Sequence, residues 1–337
     1  TTGAVPSSAI HNNGVLVTDR SNTLLLAGTI DGAGSLTQSG TGTTVLSANN
    51  TYTGATTIAQ GTLQLGDGGS TGSVSASSAI HNNGTLAVDH SNTTVLSQVI
   101  DGTGSVVQAG TGTTVLSADN TYTGATTIAQ GVLQLGAGGT TGSVSASSAI
   151  HNNGLLVVDR SNTAVLSQVI DGTGSVAQAG TGTTVMSGDN TYTGATTIAQ
   201  GTLQLGNGGT TGSIASSTIH NNGALVTDRS NTLLLAGAID GTGSLNQNGT
   251  GTTVLGGNNT YTGATTITKG TLQLGNGGTT GAVASSTIHN NGTLAVDHSN
   301  TMALSQSIDG TGNFVQAGSG TTVLSADNTY TGATTIA

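Results

Sequence analysis

Short stretches in which polar and apolar residues alternate follow one another along the whole chain, each closed by glycine or asparagine. In GVLVT, GTTVL and GTLQL the second and fourth positions after the glycine carry Leu16 and Thr18, Thr44 and Leu46, or Leu63 and Leu65. A period of two predicts strands with one row of side chains inward and the next outward. The stretch GTGTTVLSANNTYTGATTIAQGTLQLG, residues 40–66, returns with small changes from Gly110, Gly180 and Gly249 and, shortened, from Gly318. A tandem repeat of this regularity makes each copy a structural unit, so its period decides every later reading.

The apolar residue that opens each short segment gives that period. From Ile10 it recurs at Leu36, Ile58 and Ile80, then at Val106, Ile128 and Ile150, at Val176, Ile198 and Ile219, at Leu245, Ile267 and Ile288, and at Phe314 and Ile336. Each copy takes one long step, as from Ile10 to Leu36, and then two shorter equal ones, Leu36 to Ile58 and Ile58 to Ile80. The last step tightens slightly in the third and fourth copies, from Ile198 to Ile219 and from Ile267 to Ile288. Steps of this size match one turn of a parallel β-helix, in which three short strands and three bends close a coil on the one before. The expected fold is all-β, a right-handed parallel β-helix (β-solenoid) of about 14 coils of 21–26 residues, three to each repeat of 69–70 residues. At about 4.8 Å per strand spacing that is a rod roughly 67 Å long. Residues 1–337 read as a single elongated domain of four full repeats and a truncated fifth. The irregular third side, residues 19–34, is where a bulge or longer loop is expected to project. Asn-Gly in HNNG also signals hairpins, and hence an antiparallel alternative. The β-helix is preferred because TQSGTG and AQG take the same place in the coil without being hairpin turns.

Composition sharpens this picture. Glu is absent and Lys269 is the single lysine, whereas Thr, Val and Ile favour extended strands, so no helix is expected. Fourteen acidic residues, all Asp, face four basic ones, and the net charge is −10. Four scattered basic residues build no phosphate-binding patch, which excludes nucleic acid as a partner. Without cysteine there is no disulfide framework, thiolate metal site or thiol nucleophile. No apolar stretch approaches a membrane-spanning length, and the first residues, TTGAVPSSAI, show no export signal. Both ends cut through the repeat, so the chain is expected to be excised from a longer array.

The segment GTTVLSANNTYTGATTIAQGTLQLG resembles the passenger-associated repeat of bacterial autotransporters, in which a Thr/Leu strand, an Asn-x-Tyr-x-Gly segment and a Gly-x-Leu strand recur. The resemblance implies a right-handed β-helix exported through the outer membrane and displayed on the cell surface, commonly as part of an adhesin. It also implies a role in export and folding, and a parent chain with an outer-membrane barrel.

Several residues invite a chemical reading. His11, His81, His151, His220 and His289 recur in HNNG; placed three coils apart, roughly 14 Å, they cannot share one ion and read as bend or surface residues. His90 and His298 stand where Arg20, Arg160 and Arg229 stand in other copies, which suggests a tolerant polar surface site. Asp31-Gly32-Ala33-Gly34 and its IDGTG copies read as Asp-Gly turns, since neither calcium-loop spacing is present. Asp119, Asp189 and Asp327 are matched by Asn49 and Asn258, an exchange that an essential charge would not tolerate. No catalytic, cofactor-binding or metal residue is assigned. A carbohydrate-active β-helix would need an unrepeated pair of carboxylates and a sugar platform, for which Tyr52, Tyr122, Tyr192, Tyr261 and Tyr330 are the available rings. An ice-binding solenoid would need a motif such as Thr51-Tyr52-Thr53 in every coil. The favoured reading is a structural, non-enzymatic stalk at the bacterial surface that extends a distal region, folds as it is exported, and offers a face poor in charge for self-association or for a host glycan or protein.

Overall fold

The computed structural model describes residues 8–76, 79–146 and 148–337; residues 1–7, searched above for an export signal, lie outside them. The chain divides into two compact units, Thr1–Arg160 with Gly172–Gly174 and Ser161–Asp171 with Ser175–Ala337. Among the described residues no helix forms, and short strands stack in parallel as a β-solenoid of about 16 turns in all.

Within the first unit the chain visits three faces in rotation. Ala9–His11 pairs with Thr29–Asp31 on one face. On the next, Val15–Thr18 is followed by Ser35–Gln38, Thr56–Ile58, Ile80–Asn82 and Ile100–Asp101. On the third, Leu24–Leu26 is followed by Thr43–Leu46, Thr62–Leu65, Thr85–Val88 and Ser105–Gln108. Two stretches of each copy lack strand geometry but occupy the same rungs. The Thr51 amide donates to the Ile30 carbonyl at 2.8 Å, and the Asn50 amide to the Ser73 carbonyl at 3.0 Å.

These pairings correct the coil expected from the sequence. A full copy holds eight strands and the two further rungs, ten in all. Three faces absorb nine, so a copy is three and one third turns and its successor starts one face further round. Ala9–His11 and its equivalent Ile80–Asn82 accordingly lie in different sheets. The second unit repeats the shift: Ala224–Thr227 and its equivalent Thr293–Val296 also lie in different sheets. The long step from Ile10 to Leu36 is therefore not a longer coil. Ile30 lies over Ile10, and Leu36 over Leu16. Residues 19–34, expected to project, instead form the strands Leu24–Leu26 and Thr29–Asp31. Backbone pairing, not likeness of the apolar residues, sets the turn. It is short where Leu63 stacks on Thr44 and long where Ile80 stacks on Thr56.

The inward rows follow the expected alternation. Leu36, Leu46, Ile58, Leu63 and Leu65 are fully buried, and Thr18 and Thr44 are buried beside them. Each such aliphatic side chain contributes about 1.5–3 kcal/mol, and since a turn holds only a few of them, its stability depends on the turns above and below.

Candidate functional site

At the corners, polar side chains turn inward. Gln38 accepts the hydroxyl hydrogens of Thr18 at 2.7 Å and Thr44 at 2.6 Å, while its amide donates to the carbonyls of Gly40 at 2.7 Å and Gly42 at 3.2 Å. Asn12 closes the HNNG corner: its Oδ1 accepts from the Gly14 amide at 3.1 Å and its Nδ2 donates to the Ser35 carbonyl at 2.8 Å. Asn50 links three turns, accepting from the Ile30 amide at 2.9 Å and donating to the carbonyls of Ala48 and Ser73, both at 2.8 Å. A buried polar group left without a partner costs about 1–3 kcal/mol, so these contacts fix the corners. The first asparagine of HNNG and that of NTYTG are thus buried, not surface residues. Sequence reasoning missed them, although Gln38 occupies an inward position by the period of two.

The tyrosines move furthest from expectation. Tyr52, Tyr122, Tyr192 and Tyr261 are fully buried, so none of them is a platform for a sugar. Their hydroxyls bond to Thr56, Thr126, Thr196 and Thr265 at 2.6–2.7 Å. Burial pushes the Tyr122, Tyr192 and Tyr261 hydroxyls well above the ordinary tyrosine range, against the opposing effect of those threonine bonds. Thr51 and Thr53 stay exposed, but the copies do not align: the Thr51 amide bonds to Ile30 and the Thr121 amide to Ile100, on different faces. Rotation between copies prevents the flat threonine face that ice binding requires.

The recurrent histidines and the IDGTG aspartates, read separately from the sequence, meet. His11 lies against Asp31 at 2.7 Å, His81 against Asp101 at 2.9 Å, His220 against Asp240 at 2.9 Å and His289 against Asp309 at 2.8 Å. Each histidine ends or lies within an AIH-type strand, and its aspartate lies on the strand one turn later. The pairs are open to solvent, and among the described residues no three His, Cys, Asp or Glu side chains gather as a metal site. After the aspartate the chain turns sharply. Gly32 has φ +98°, and a Cβ on Gly34 would come within 2.4 Å of the Gly14 carbonyl and 2.5 Å of Asn12 Oδ1. The glycines of this Asp-Gly turn are there for close stacking on the corner below.

The Arg/His position is not the surface site expected. His90, His298, Arg160 and Arg229 are all buried. Arg160 Nη2 donates to the Thr140 carbonyl at 2.5 Å, Arg229 Nη2 donates to the Thr210 carbonyl, and their Nη1 atoms lie 3.5 Å from Asp119 and Asp189. Burial pushes the Asp189 carboxyl up, but hydrogen bonds from Ser213 and Gly212 and the Arg229 charge outweigh it and hold the group below the ordinary aspartate range. On the outer surface, Leu25, Val95, Val165 and Leu234 take the same place in successive copies and are about half exposed.

A family model described as the passenger-associated-transport-repeat matches residues 36–65, 106–135, 176–205, 245–274 and 314–337. The first four matches run over the TQSGTG-type corner, the buried tyrosine and the GTLQL-type strand, and the fifth over the corner and Tyr330. The chain is also 36% identical over 223 residues to an adhesin autotransporter, BmaC, of Brucella suis biovar 1 (strain 1330). That alignment covers 60% of this chain and 6% of the relative. No solved structure matches. Each copy, whose rungs wind around three faces, thus carries one stretch that matches the passenger-associated-transport repeat, and the chain is similar to part of an autotransporter adhesin.

Proposed function

We propose that the chain is a structural stalk segment of a surface-exposed or secreted autotransporter, without a catalytic role of its own. The single observation that carries this is the rotation of the copies. A repeat of three and one third turns sends each motif to a new face, so repetition adds length and no face accumulates one kind of group. Each copy adds about 16 Å at 4.8 Å per turn. Turn-by-turn stacking also suits folding at a growing end during export, since each turn needs only its neighbour as a template. Small-angle scattering of chains with one, two and three copies deleted tests the stalk: the maximum dimension falls by about 16 Å per copy. A dimension that does not change with copy number overturns the reading.

Adhesion or self-association is the finer part of the proposal. Support comes from the relative's description as an adhesin and from half-exposed Leu25, Val95, Val165 and Leu234 on a surface with few charges. The partner is a second rod, or a glycan or protein of a host surface, and the parent chain carries an outer-membrane barrel. Purified chain added to displaying cells should compete with their clumping or attachment. No competition at saturating concentration leaves spacing as the role.

A further inference from the structure

The position after the repeated aspartate and a second position two turns earlier vary together within this chain. Arg160 stands with Asp119 and Arg229 with Asp189, whereas His90 stands with Asn49 and His298 with Asn258. Arg20 and Asp327 have no counterpart within the chain. Duplication of whole blocks would also carry two residues together, so the contacts of Arg160 with Asp119 and of Arg229 with Asp189 are the deciding observation.

We infer that these two positions, the later buried and the earlier about half exposed, form one specificity site with two interchangeable side-chain pairs, arginine–aspartate and histidine–asparagine, which sets the junction between consecutive copies and must be exchanged as a pair. The oxygen of the earlier residue does one job in every copy. Asp119 and Asp189 accept the Gly142 and Gly212 amides at 3.0 Å, and Asn49 and Asn258 accept the Gly72 and Gly281 amides at 3.1 Å. Either residue type can hold that backbone, so the choice between them has another cause.

That cause is the later residue. The Arg160 and Arg229 side chains are only 10% and 8% exposed. A guanidinium cannot shed its proton, so burying it requires a counter-charge, and Asp119 and Asp189 supply one. Histidine can be buried neutral. Its Nδ1 lies 2.6 Å from the Thr94 hydroxyl in His90 and 3.2 Å from Asn300 Oδ1 in His298. The shorter side chain also leaves room: beside His298, Asn258, Thr279 and Asn300 line a cleft of about 290 Å³. In the other copies the guanidinium reaches the equivalent carbonyls of Thr140 and Thr210. In a chain whose copies are otherwise nearly the same, a mismatched pair marks a junction formed in the wrong order.

Amide hydrogen exchange on the full chain tests the pairing. Asp189→Asn alone should speed exchange at Gly212, and His298→Arg alone at Gly281, each by about tenfold or more. Adding Arg229→His to the first and Asn258→Asp to the second should bring both amides back to within about twofold of the parent, a non-additive result. Should Asp189→Asn not fold, Asp119→Asn read at Gly142 gives the same comparison. Single variants without effect, or paired variants no better than the product of the singles, overturn the inference. Neither readout depends on length or adhesion, so the stalk reading stands or falls separately.

Discussion

Two polar contacts in the fourth copy span one turn each, and they are opposites. His220 meets Asp240 on the outer surface, with side chains 46% and 48% exposed. Thr227 donates its hydroxyl to Gln247 at 2.7 Å in the interior, where both residues are about 1% exposed. Both recur in other copies, so recurrence alone does not rank them. Water solvates the histidine and the aspartate whether or not they pair, and exposed pairs of this kind contribute about 0–1 kcal/mol. The glutamine has no such alternative: without its partners several buried groups lose their hydrogen bonds together. The thin interior, more than the visible rows outside, keeps the turns in register.

Breaking the interior should have the largest effect. Tyr192→Ala removes a fully buried ring and leaves Thr196 unpartnered, for an expected loss of about 3–5 kcal/mol in local opening free energy by amide exchange. Gln247→Ala removes the acceptor 2.7 Å from the Thr227 hydroxyl and the side-chain amide that donates to the carbonyls of Gly249 and Gly251, and should cost about 1–3 kcal/mol by the same measurement.

The pH profile sharpens the contrast. The Tyr122, Tyr192 and Tyr261 hydroxyls are raised on folding, so their contribution is complete below the ordinary tyrosine value of about 10 and is lost as pH rises beyond it. Loss of the strand signal in circular dichroism should then coincide with tyrosinate absorbance. The Asp189 carboxyl is lowered, so its smaller contribution is present above the ordinary aspartate value of about 3.9 and is lost as pH falls through the lower folded value. Exchange at Gly212 should rise there in the parent and not in Asp189→Asn. The outer pair should matter least: His220→Ala should change local stability by less than about 0.5 kcal/mol, and that small effect should vanish in high salt. A loss as large as that of Gln247→Ala would reverse the ranking of surface and interior.

Much of the fold was legible because strand periodicity is local. Leu63 and Leu65 point inward because of a two-residue alternation that the sequence displays directly. The tyrosines were not legible: NTYTG reads as a polar turn, and Tyr52 is buried only because the rung it occupies lies between Ile30 and Ser73 of neighbouring turns. Nor could the sequence bring His81 to Asp101, or Arg160 to Asp119, since those contacts depend on which residues stack.

By itself the sequence determined the repeat, the strands, the parallel coil and the inward rows, all of which follow from spacing and side-chain size. Only the tertiary structure decided the phase. Whether residues 19–34 form a loop or two further rungs depends on hydrogen bonds to turns that are distant in sequence, and that choice turns three coils per copy into three and one third. A third of a turn is invisible along the chain, yet it moves every equivalent residue to another face.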